Sequence, residues 1–446
     1  MKDQIKLVIG VLCHKILRIC LNELLINMKE EVLQYIWKHR LYKEPLVTTD
    51  GESVEIINPG MHNQSAGPDF FNSTVKIGRL TWVGNIELHV KASDWKRHNH
   101  DSDARYDNVI LHVVSDADES IMRKNGERIP TVVLKISDKV AKIAQDIASS
   151  PSDIKCSQYW KTEFISDIRL RFSALLFERM KRRADILLQN IRDLNTTWDE
   201  MLYILICRTM GGNVNQQPFE TLAQRVPLDI IGKKADEEYK IESLLYGAAG
   251  MLDDGDDDYV ARLRLFYKSA SATFGIKRME GSEWKYSKMR PPSFPTIRIS
   301  QISQLLFRRL RLFTHIIDSC DIEEIKNMFE VEVSDYWLTH YKFGKESKAR
   351  KKEIGVEMQN ELIINAVAPA VFAYGVQIDD NRKKEWAIEI LETVPAEINN
   401  ITKSWAALGI EARDASESQA LIELRKNYCD KSNCLRCTIC RKIMVY

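Results

Sequence analysis

The sequence has no long apolar run. Its richest stretch, Ile5 to Ile26, is interrupted by His14, Lys15, Arg18, Asn22 and Glu23. The longest clean segment, Leu7 to Cys13, is too short to span a bilayer. No small-x-small cleavage site follows it, so a secretory signal is not read there. A helix from Leu7 to His39 and a native start at Met28 both fit, and residues 1–27 are read as an N-terminal extension. A soluble, cytoplasmic protein without membrane contact is expected. The chain also lacks an excess of either charge. Lys+Arg total 64 and Asp+Glu 63, for a net charge of +1. That excludes a chain-wide basic footprint and leaves room only for a local one. Nine cysteines in 446 residues are too few for a disulfide scaffold. Gly211-Gly212 and Gly247–Gly250 lack the Lys and Ser/Thr of a phosphate loop, and no HExxH helix or Ser/His/Asp pattern stands out. There is no internal repeat.

What is present falls into two halves. Apolar spacing predicts a helix over Met28 to Arg40. Period-two segments follow at Val54–Ile57, Asp69–Ile77, Leu80–Val90, Asn108–Val114 and Arg128–Ile136. Asn58-Pro59-Gly60, Gly78 and Asn125-Gly126 punctuate them. Residues 28–150 are therefore read as an α+β domain with a mixed sheet. From 155 to 425 the spacing is helical, with long stretches at Ile165–Leu194 and Ile299–Asp318. Residues 426–446 form a cysteine-rich tail.

The densest chemistry lies between Met61 and Val114, which holds His62, His89, His98, His100 and His112. On a strand, side chains alternate faces, so Glu87, His89 and Lys91 share one side and Ile86, Leu88 and Val90 the other. Asp69 opens the preceding strand, and a hairpin between the two brings it to Glu87. Paired carboxylates hold Mg²⁺ or Mn²⁺, which polarises a phosphate and activates water. A basic side chain steadies the developing charge. Asp69, Glu87, His89 and Lys91 are the candidate catalytic residues. His98 and His100, two apart among flanking acids, are candidate ligands for Zn²⁺, Mn²⁺ or Fe.

A second cluster closes the sequence. Cys429, Cys434, Cys437 and Cys440 have the short gaps of a thiolate site for Zn²⁺ or an iron–sulfur cluster. Cys156 is an alternative fourth ligand. Joined to Cys429, Cys434 and Cys437, it would staple the tail back onto the α+β domain.

Two basic stretches bear on nucleic acid as a partner. Trp284, Lys285, Tyr286, Lys288 and Arg290 interleave aromatics and bases, a pattern suited to single strands. A rigid inter-helix loop that buries Trp284 and Phe294 is the favoured reading. Arg179, Lys181, Arg182 and Arg183 read as a solvated helix face.

Pro68-Asp69, with Glu87 on the next strand, resembles the PD-(D/E)xK nuclease-like superfamily. That resemblance implies a restriction-endonuclease-like mixed sheet with flanking helices and metal-dependent cleavage of nucleic acid. His89 stands where the superfamily has lysine, with Lys91 as the substitute on the same face. The alternative is a non-catalytic nucleic-acid- or protein-binding module with a degenerate nuclease-like core and a structural metal. Across most of the chain, GPDF at 67–70, GNIELHVKASDW at 84–95, HNHD at 98–101, YDNVILHVV at 106–114, RPPSFPTIRISQ at 290–301, SQALIEL at 418–424 and YCDKSNCLRC at 428–437 resemble a bacterial family known as a domain of unknown function. The resemblance ends with the third cysteine, which implies that Cys440 is incidental.

Overall fold

The computed structural model describes residues 30–445 except 64–65, 432 and 435–436. The expected extension over residues 1–27 lies outside the described residues. The chain divides into two compact units, one formed by residues up to 168 together with 427 onward, the other by Arg169–Lys426. Among the described residues no helix is long and apolar enough to cross a membrane.

The first unit is a mixed sheet entered by one helix, α1 (Glu30–Lys38), which buries Leu33, Ile36 and Trp37. The strands are β1 (Leu46–Val47), β2 (Ser53–Asn58), β3 (Met61–His62), β4 (Phe70–Ile77), β5 (Leu80–Lys91), β6 (Val109–Asp116) and β7 (Thr131–Val133). Their order is β1-β2-β4-β5-β6-β7, with β3 also paired to β4. The pairs up to β4–β5 are antiparallel, and β5–β6 and β6–β7 are parallel. Thr49 N donates to Thr131 O at 2.8 Å and Lys43 N to Lys135 O at 2.7 Å, so the first strand's edge meets the last and the sheet is nearly closed. The expected strand over Arg128–Ile136 is thus only three residues of regular ladder, held on both sides.

Two local features set the register. Gly78, at φ +57, makes the two-residue turn that joins β4 to β5 and pairs Ile77 with Leu80. Asn72, at φ +54, carries a bulge between Phe70 and Ser73, after which Phe70 lies opposite Ile86. Parallel β5 and β6 need a crossover. Here it is residues 92–108, with a single helical turn, α2 (Asp94–Arg97), and one 3₁₀ turn, Ala104–Tyr106.

The second unit is helical, as the spacing predicts, but two expected helices are broken. Ile165–Leu194 is two helices, Phe164–Arg169, which closes the first stretch of the sheet unit, and Phe172–Leu194, and Ile299–Asp318 is Pro295–Arg308 followed by Leu312–Ser319. A π-helical turn, Ile363–Val367, runs into Ala368–Gln377. The aromatic–basic loop packs as the rigid-loop reading has it: Trp284 is buried, donates from Nε1 to Ala249 O at 2.8 Å and meets Phe219 edge-on. The basic run is solvated only at Lys181; its arginines are paired. Arg179 donates to Gln419 at 2.5 Å, Arg182 pairs with Glu423 at 2.5 Å, and Arg183 donates to the carbonyl of Asn365 in the π-helical turn at 2.9 Å.

Candidate functional site

The β5–β6 register pairs Glu87 with His112 and His89 with Val114, so these side chains leave the sheet on one side. Glu87 and His89 are 5% and 1% exposed and His112 is fully buried. The patterning gives β5 one apolar face, yet both of its faces are covered, because the crossover folds over the second. Trp95 and Tyr106 from that segment join Val109, Val114, Ile121 and Ile129 in one apolar cluster.

The expected approach of Asp69 and Glu87 is present. Asp69 N donates to Glu87 Oε2 at 3.0 Å, and Leu88 N donates to Asp69 Oδ2 at 3.0 Å. Each carboxylate is thus fixed by a backbone amide of the opposing strand. Gln34 on α1 donates to the remaining Asp69 oxygen at 2.7 Å. The second Glu87 oxygen faces imidazoles rather than a second carboxylate. Oε1 lies 3.3 Å from His100 Nε2 and 3.6 Å from His89 Nε2. His98 returns on the crossover to place Nδ1 3.2 Å from His89 Nε2. One nitrogen from each of His89, His98 and His100 falls within 4.8 Å of the others. His89 Nδ1 sits 2.9 Å from His112 Nε2. His100 stacks on Tyr106 with ring centres 3.8 Å apart, and the Trp95 edge meets His89, His100 and His112.

These spacings fit an ion. Ligand atoms about 2.1 Å from a metal at tetrahedral to octahedral angles stand roughly 3.0–3.4 Å apart. His100 Nε2 is buried without an aligned hydrogen bond, its only near contact being the Glu87 oxygen at 3.3 Å. The electrostatics agree. Burial pushes the His89 imidazole far down, with the His112 charge next, and burial lowers His112 to about 3 and His100 to a lesser extent. Neutral imidazoles are the ligating form. Burial pushes Asp69 and Glu87 up, and for Asp69 the neighbouring Glu87 charge adds to the effect. With a metal on His89 Nε2, Nδ1 carries the proton toward His112, which fixes the tautomer.

Lys91 does not join the group. Four residues past Glu87 along a strand is about 13 Å. Its side chain is exposed at the end of β5, where it acts on Asp118. His112, a core histidine by its flanking residues, is instead the partner of His89. Its alternation with Val113 on β6 was the available signal, but only the β5–β6 register shows which neighbour it meets. His62 stacks on Phe70 and contacts Gln34 at 3.3 Å, on the Asp69 side of the site.

Comparison with curated proteins and with solved structures found no match. Residues 30–400 match the model of the family described as protein of unknown function (DUF2851), and the chain belongs to that family.

Proposed function

We propose that the sheet unit is a metal-dependent hydrolase of nucleic-acid phosphodiesters, with His89, His98, His100 and Glu87 holding a first-row divalent ion. The observation that carries this reading is the convergence of three imidazole nitrogens beside one carboxylate oxygen. Imidazole suits Mn²⁺, Fe²⁺ or Zn²⁺ better than Mg²⁺, which prefers oxygen and keeps its waters. The ion would supply Lewis acidity and an acidified water. The chain's own residues do the rest. Asp69 N and His112 hold Glu87 and His89 in place. Trp95 and Tyr106 close the inner side, and exposed His98 marks the side from which substrate arrives. Phosphodiester as the substrate rests on the likeness of Pro68-Asp69 and Glu87 to the PD-(D/E)xK pattern. A mixed sheet in which Asp69, just ahead of β4, meets Glu87 on β5 supports it, and the restriction-endonuclease-like fold is part of the proposal.

A second reading is favoured by the position of Lys91. With histidine in the superfamily's lysine position and the substitute exposed elsewhere, the unit would be a non-catalytic nucleic-acid- or protein-binding module with a structural metal. Cleavage of single- and double-stranded DNA and RNA by the full chain, with Mn²⁺, Zn²⁺ or Mg²⁺ added, separates the two. The hydrolase reading expects cleavage with Mn²⁺ or Zn²⁺ that Glu87→Gln and His89→Ala abolish and Lys91→Ala preserves. Stoichiometric metal without cleavage of any substrate selects the binding module. No metal bound under any condition removes both.

A further inference from the structure

Residues 427 onward belong to the sheet unit, far in sequence from the rest of it. Their helix, Thr438–Val445, buries Ile439, Ile443 and Met444. Arg441 lies 5.6 Å from the centre of the Tyr35 ring and 3.1 Å from His39 Nε2, and Lys442 pairs with Asp167 at 2.5 Å. Eight helical residues with this little apolar surface need a further tie.

The same segment supplies three thiols at regular spacing. Cys437 N donates to Cys434 O at 3.1 Å, so the backbones of the two cysteines are in direct contact. Cys440 follows in the first turn of the helix, whose Arg441 N donates to Cys437 O at 3.0 Å. Cys437 and Cys440 are buried and Cys434 is half-buried. A fourth thiol comes from Cys156, just ahead of the 3₁₀ turn Ser157–Tyr159. Cys434 is within hydrogen-bond reach of Cys440, Cys156 feels the charges of Cys437 and Cys434, and Cys440 feels all three others. None of them is in a disulfide. They are grouped more loosely than the histidine nitrogens: among the described residues no three sulfurs lie within 4.8 Å of one another, so closing a site takes an inward turn of side chains.

We propose that Cys156, Cys434, Cys437 and Cys440 bind one structural zinc ion that clips the returning segment to the sheet unit. Four sulfurs at about 2.3 Å from one tetrahedral ion stand roughly 3.8 Å apart, and Cys434 and Cys440 already interact. The set takes in Cys440, which the family pattern leaves out, and omits Cys429. The clip joins position 156 to 434 and closes a loop that contains the whole helical unit. The disorder such a link removes from the unfolded chain grows with loop length. This site stands independently of the histidine cluster and its reading.

Zinc content of the full chain, purified anaerobically with His98→Ala to silence the histidine cluster, tests it. One zinc per chain is expected, lost in Cys156→Ser and Cys437→Ser and kept in Cys429→Ser. Because a cysteine variant can fail to fold, the unmutated cysteines are also probed with Co²⁺. Thiolate-to-cobalt charge-transfer absorption is expected there. Iron with labile sulfide, disulfides among these four residues, zinc retained without Cys156, or zinc lost with Cys429→Ser would each overturn the proposal.

Discussion

Both units bury charged and titratable groups, but they treat them differently. In the helical unit each buried carboxylate is surrounded by donors. Glu242 accepts from Tyr259, Ser300 and Ser334 at 2.5–2.8 Å. Glu417 accepts from Arg169 at 3.2 Å and from Arg413 at 2.6 Å, and Glu423 takes Arg179 and Arg182. In the sheet unit the buried imidazoles mostly face one another; His112 Nδ1 has no hydrogen bond, and His100 Nε2 has only an unaligned 3.3 Å contact with Glu87. Burial of polar groups is therefore not what marks a site here. The mark is a set of ligand atoms that converge on one point and meet chiefly one another.

The comparison can be broken most sharply at Glu423. Its removal takes the shared carboxylate from Arg179, which is 11% exposed and keeps only its Gln419 hydrogen bond, so Glu423→Ala should cost about 3 kcal/mol in chemical denaturation. A loss below 1 kcal/mol would mean that the helical unit's pairs are as expendable as surface ones. The next effect is in pH. Burial raises Glu242 to about 7 from an ordinary 4.5. Below pH 4.5 the carboxyl is protonated folded or unfolded. As pH climbs through 7 the unfolded chain gives up this proton more readily, and stability falls by at most about 3 kcal/mol. Denaturation midpoints across pH 5–8 should decline in the native chain and flatten in Glu242→Gln. Equal slopes in both would remove Glu242 as the cause.

For the sheet unit the expected response is to a ligand. Mn²⁺ or Zn²⁺ at about 100 times its dissociation constant should stabilise the unit by about 2.7 kcal/mol, and His98→Ala should erase most of that gain in a thermal melt. If the helical unit's transition moves instead, the contrast between the units has been drawn in the wrong place. The smallest effect is the control. Lys233 and Asp229 form an exposed pair at 2.7 Å, and Lys233→Ala should change stability by less than about 0.5 kcal/mol.

Much of the sheet unit is legible in the sequence because strand periodicity and turn residues act locally. Gly78 gives the β4–β5 turn and the approximate approach of Asp69 to Glu87; the one-residue shift at Asn72 that sets them opposite each other has no sequence signal as plain. The histidines are only half legible. Their density marks the region, but the return of His98 and His100 onto His89 depends on a seventeen-residue crossover whose path no spacing encodes. Lys91 fails for a simpler reason: sharing a face is not sharing a location. The same limit applies to Arg179 and Arg183, whose partners lie about 180–240 positions away. A basic run looks alike in sequence whether water or a carboxylate faces it.

The helical unit is inserted into the sheet unit, whose two parts are separated by Arg169–Lys426. On the ribosome the sheet can assemble early, but Tyr35, His39 and Asp167 must wait for Arg441 and Lys442 until the whole helical unit has been made. At about 5–20 residues per second that delay is on the order of tens of seconds. A newborn chain therefore spends that interval with one flank of its sheet unit unfinished, and a transcript truncated late would leave the helices whole and the sheet unit incomplete.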